Sequence, residues 1–144
     1  HFLMLEDRLQ ELGGAYGDLP AHDGLWQAAM ETAHDLLARL AIVPMVLEAR
    51  GLDVTPDMIK RLHAAGDQQS AEALTIIHDD EIGHVAVGKR WFDHVCATRG
   101  LTDPVAAWQD LVRKHFKGGL KPPFNTTSRD LAGFPEHYYA VFEA

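Results

Sequence analysis

The chain has 144 residues, 47% of them hydrophobic, and a formal net charge of −8, which suits one domain with a real core. The acidic balance argues against non-specific nucleic-acid binding, and no apolar run is long enough to cross a bilayer. Cys96 is the single cysteine, so no intrachain disulfide can form and a cytoplasmic, reducing setting is expected.

His1 to Leu12 has helical periodicity, with Phe2, Leu5 and Leu9 on one stripe and a stop at Gly13-Gly14. No cap residue precedes this apolar run, so the chain is expected to begin inside a helix. Ala15 to Gly24 reads as a loop. A long helix is expected from about Leu25 to about Arg50, kinked at Pro44, with Trp26, Met30, Leu37, Ala41 and Pro44 on its apolar stripe. Gly51-Leu52-Asp53-Val54 should break it, and Thr55-Pro56 should start a short helix to Ala65.

A second long helix is expected from about Ser70 to Thr98, stopping at Arg99-Gly100, and a third from Asp103-Pro104 to about Phe116. Gly118-Gly119-Leu120-Lys121-Pro122-Pro123 excludes regular structure. Phe124 to Phe134 reads as an extended crossing segment, and Pro135 to Phe142 as a final short helix anchored by Tyr138, Tyr139 and Phe142. No strand alternation and no repeat are present. The expectation is an all-α single domain over 1–144, with 117–144 as a tail packing on the bundle.

Chemistry enters through Asp80-Glu81-Ile82-Gly83-His84. At ~100° per residue, Leu74, Ile77, Glu81, His84, Val85, Gly88, Phe92 and Val95 share one helical face. A buried carboxylate on such a face needs a compensating group. A metal held by Glu-x-x-His is one solution. Glu48 projects within ~40° of the upstream stripe and sits where the helix macrodipole disfavours an anion. The alternative is that both acids pair with Arg39, Arg50 or Arg90. Asp80 is a candidate acceptor for a ligand histidine on a neighbouring helix. Gly88 either clears space beside a metal or permits close helix packing.

Glu31-x-x-His34 repeats the spacing, but Glu31 lies ~100° off the stripe and ~25 Å along a straight helix from Glu48. Glu31 is expected to be solvated and His34 to be a hydrogen-bonded packing residue. The basic cluster Arg113, Lys114, His115, Lys117 and Lys121 reads as a solvated face.

Leu47-Glu48-Ala49-Arg50-Gly51-Leu52-Asp53, Gly66-Asp67, Asp80-Glu81-Ile82-Gly83-His84-Val85, Trp91-Phe92, Pro123-Phe124-Asn125 and Ala132-Gly133-Phe134 together resemble a ferritin-like family of unknown function, family four-five-five. The Glu-Ala-Arg and Glu-x-x-His arrangement is also similar, over the ligand helices only, to the di-iron family that hydroxylates modified tRNA. The resemblance implies a four-helix bundle with a dinuclear metal site, here lacking its first helix and part of its second. Carried over, Glu48 is the third-helix carboxylate and Glu81 and His84 are the fourth-helix pair. His1-Phe2 resembles the end of the second-helix motif, which makes His1 a fourth ligand. The other ligands would lie upstream, or a homodimer would supply them.

The function so implied is a di-iron oxidoreductase or hydroxylase, with manganese or a mixed iron/manganese pair as alternatives. Its partners would be dioxygen and a small molecule or modified nucleotide. Two other classes remain: metal storage or detoxification, and a helical interaction module whose site is inactive.

Overall fold

The computed structural model describes residues 1–142. The described residues are helical throughout, without a strand: α1 (Phe2–Glu11), α2 (Gly24–Glu31), α3 (Leu36–Ile42), a π-helical segment (Val43–Glu48), α4 (Ala49–Ala64), α5 (Gln68–Thr98), α6 (Pro104–His115) and α7 (Thr126–Leu131). Two 3-10 turns, Glu136–Tyr138 and Ala140–Phe142, follow. No helix of the described residues is long and apolar enough to cross a membrane.

Two long rods dominate, and the limits of the first differ from those expected. The first breaks at Thr32–Asp35 rather than running unbroken from Leu25. There the Asp35 side chain accepts from the Leu37 amide and starts α3 afresh. Trp26 and Met30 consequently stay 69% and 57% exposed instead of joining the core stripe.

From Leu36 the chain is then helical to Ala64 without a break at Gly51–Val54. Two prolines lie inside it, and each is accommodated locally. Pro44, which has no N–H to donate, sits near the start of the π-helical segment, where the bonding pattern shifts by one residue. Pro56 removes the bond that Leu52 O would accept within α4. Asn125 Nδ2 donates to that carbonyl at 3.1 Å and fills the gap. Thr55-Pro56 is therefore helix interior, not a helix start.

α4 turns into α5 through Ala65-Gly66-Asp67, with Gly66 at φ +80° and the Asp67 side chain accepting from the Ser70 amide. The α5 limits agree with the sequence reading to within two residues. α6 opens as expected, Asp103 accepting from the Ala106 amide. The extended segment expected at Phe124–Phe134 contains α7, capped by Asn125 Oδ1 on the Ser128 amide. The expected final helix is two separate 3-10 turns.

The core lies between the two rods, α6 and the tail. Met45, Leu52, Val85, Phe92, Trp108, Phe134 and Tyr139 are buried there. Trp108 donates from Nε1 to Ala41 O at 3.2 Å and packs edge-on to Phe134, Tyr138 and Phe142. Asp53 and Arg129 form a fully buried bidentate pair, at 2.8 and 2.7 Å, tying α4 to α7. α1 and α2 contribute no buried residue to this core, and Phe2, Leu3, Leu5 and Leu9 of α1 are exposed.

Candidate metal centre

Polar clamps at both ends hold α1 on α5. Arg8 donates to Ser70 Oγ at 2.9 Å, to Gln69 Oε1 at 2.8 Å and to Asp67 Oδ1 at 2.8 Å. At the other end His1 meets residues 80 and 81, so α1 runs antiparallel to the first half of α5. This places the His1 ring beside the Glu-x-x-His pair.

Glu81 lies between two imidazoles. Its Oε1 is 3.3 Å from His1 Nδ1 and its Oε2 is 3.2 Å from His84 Nδ1. The two rings stand 5.4 Å apart, tilted by 45°. One ligand atom each from His1, Glu81 and His84 falls within 4.8 Å of the others. The remaining His1 nitrogen, Nε2, faces Asp80 Oδ2 at 3.0 Å. With a cation between His1 and Glu81, a proton on Nε2 donated to Asp80 would leave the Nδ1 lone pair free to bind it.

Glu48 approaches from the other rod. It closes the π-helical segment and is half-buried, in mid-rod rather than at a helix C-terminus, so the expected dipole penalty does not apply. Burial raises its carboxyl above the ordinary range; the Glu81 charge adds to this and His84 opposes it. Among the described residues no ion pair joins Glu48 or Glu81 to an arginine. Arg50 instead donates to the Lys121 and Pro123 carbonyls, and Arg39 to the Ala29 carbonyl.

The depth at which Glu48 sits depends on Gly88. A Cβ built at Gly88 would fall 2.3 Å from Pro44 Cβ, so the glycine admits the π-helical segment against α5. Close packing, one of its two expected roles, is realised. The sequence reading missed the Arg8 clamp, because its partners lie about sixty positions away.

Glu31 is exposed and stands apart from this cluster, as expected. His34 is not a packing residue: it is exposed, its ring 5.8 Å from that of His115. Burial and the neighbouring Lys114 lower the His115 value.

The described residues thus form a helical bundle in which His1, at the start of α1, meets Glu81 and His84 of α5. The chain belongs to the family described as "Protein of unknown function (DUF455)", which it matches over residues 1–140. It is similar to an uncharacterized protein of Haemophilus influenzae, 42% identical over 137 residues. That match takes in 95% of this chain and 47% of the relative, so the chain spans about half the relative's length. No solved structure matches it.

Proposed function

We propose that the chain contributes to a ferritin-like, non-haem dinuclear metal centre acting as an oxidoreductase, with iron as the metal and manganese or a mixed pair as alternatives. The supporting observation is the convergence of His1, Glu81 and His84 within 4.8 Å, with the half-buried Glu48 facing the same charges and no arginine neutralising it. A set of imidazoles and carboxylates without thiolate suits iron or manganese. When bound, such ions supply activation of dioxygen at open coordination positions.

The chain's own residues divide the remaining work. Glu81 offers one oxygen toward each histidine side, and His84 Nδ1 and His1 Nδ1 offer lone pairs. Asp80 fixes the His1 ring by holding its Nε2 proton. Glu48 brings a second carboxylate from the neighbouring rod. Four protein ligands make an incomplete dinuclear set compared with the four carboxylates and two histidines of di-iron bundles. A second copy or further helices complete it. The substrate is a small molecule or modified nucleotide.

The test is metal content of the chain purified from cells supplied with iron and manganese, beside the H84A and E81Q variants. Bound iron or manganese that both variants lose supports the centre. Wild-type chain retaining neither metal, at any oligomeric state seen by light scattering, overturns it.

A further inference from the structure

Away from this centre, the glycine-proline loop closes a cavity of about 320 Å³ against the back of the π-helical segment. Its apolar wall includes Val46, Leu47, Phe116 and Phe124. Arg50, Lys121 and Arg129 are its charged lining residues, and no carboxylate of the described residues lines it. In a chain of net charge −8 that is a marked local reversal of sign.

Arg129 makes the cavity more than a basic surface. The residue is 1% exposed, and its Nε and Nη2 edge is occupied by Asp53. Nη1, at the corner away from that carboxylate, is buried without a hydrogen-bond partner among the described residues. The rings of Phe124, Phe134 and Tyr139 stack around the guanidinium at 4.4–5.2 Å and hold it rigid. Asp53 neutralises one charge, and Arg50 and Lys121 leave the wall with an excess of positive charge. Arg50 has its Nη1 committed to backbone carbonyls and lies 3.6 Å from Asp53, which leaves Lys121 and the Nη1 of Arg129 as the basic groups of the lining for a ligand to engage. A second cavity of about 580 Å³ shares Leu47, Phe116 and Gly118 with the first, and Glu31, His115 and Lys117 are among its other lining residues.

We propose that this cavity binds a small amphipathic carboxylate, its anion on Arg129 Nη1 and Lys121 and its apolar body along Leu47, Phe116 and Phe124. The size, the apolar walls and the single-signed polar end match what small-molecule sites require. A guanidinium corner whose other edge is already bonded recognises one oxygen-bearing head, not a polyanion. The site is independent of any metal.

Octanoate is the probe, titrated calorimetrically into the full metal-free chain, with octanamide as its uncharged match and inorganic phosphate as the head alone. Octanoate is expected to bind at least tenfold more tightly than octanamide, with phosphate not competing. Gly118→Leu gives a cavity-filling variant that should fold, because a Cβ there meets nothing closer than Phe116 Cζ at 3.9 Å. It should abolish octanoate binding with the helical signal unchanged. Equal binding of octanoate and octanamide would indicate adsorption on exposed apolar helix faces and overturn the proposal. So would octanoate binding that survives G118L, displacement by phosphate, or no binding at all.

Discussion

Pro44 and Gly88 pack so closely that no other side chain fits at position 88: a Cβ there would lie 2.3 Å from Pro44 Cβ and 2.5 Å from Pro44 Cγ. The proline ring cannot rotate away, and it is held inside the π-helical segment that ends in Glu48. Gly88 thus connects helix packing to the placement of a candidate ligand. Gly88→Ala should cost about 1–3 kcal/mol through overpacking, despite the better helix propensity of alanine. It should also lower metal affinity, because the rod carrying Glu48 must move outward. Thermal melts with and without manganous ion measure both effects, and an unchanged melting temperature would contradict the packing argument.

Asn125 is the residue that lets α4 pass through Pro56. It donates from Nδ2 to Leu52 O, caps α7 through Oδ1, and its own amide donates to Asp53 Oδ1 at 2.9 Å. Asn125→Ala removes a cap and strands the carbonyl of buried Leu52 together, a loss of about 1–3 kcal/mol. Asn125→Ser keeps a capping oxygen but not the donor, so its loss should be smaller. Denaturant unfolding of the two variants separates the contributions.

That bond also shows why part of the fold was not legible in the sequence. Local punctuation located α5 and α6 well, since Asp67, Gly100 and Asp103-Pro104 act on their own neighbours. Gly51-Leu52-Asp53-Val54 and Thr55-Pro56 carry equally strong break signals. They are overridden by a partner 73 positions downstream that no local pattern displays. Phe124–Phe134 fails for the converse reason, because its helix has only six residues and depends on the Asn125 cap and the buried Arg129 pair. Within the site, the Glu81 and His84 pairing was readable from helical spacing, but the buried face was not: the His84 side chain is 53% exposed and that of Glu81 18%. The Arg8 clamp on α1 depends on long-range geometry.

Asp35 couples the first rod to the end of the second. Its Oδ1 caps α3 and accepts from Arg99 at 2.8 Å. The Arg99 hydrogen bond holds the Asp35 carboxyl below the ordinary carboxylate range, the Leu37 amide assists, and burial opposes both. A depressed folded-state value means that the carboxylate stabilises the fold above its unfolded value. That contribution disappears as the pH falls through the folded value. Asp35→Ala should cost roughly 0.5–2 kcal/mol near neutrality and much less in acid. Melts of wild type and variant across the acid range should converge, and parallel curves would contradict the ion-pair cause.

Glu48 has the opposite sign. Burial, then the Glu81 charge, raises its folded value, so the metal-free fold holds a proton there that the unfolded chain releases. Stability from this group is therefore highest below the ordinary carboxylate range and falls as the pH rises through the raised value. In metal-free protein Glu48→Gln should remove that loss and melt higher than wild type at neutral pH. Addition of manganous or ferrous ion should reverse the order. An ion at a hundredfold excess over its dissociation constant stabilises the wild type by ~2.7 kcal/mol, and the variant, lacking one carboxylate ligand, by less. Scanning calorimetry at neutral pH with and without metal reads both halves. A wild type that metal leaves unmoved, or a variant that metal stabilises equally, would remove Glu48 from the ligand set.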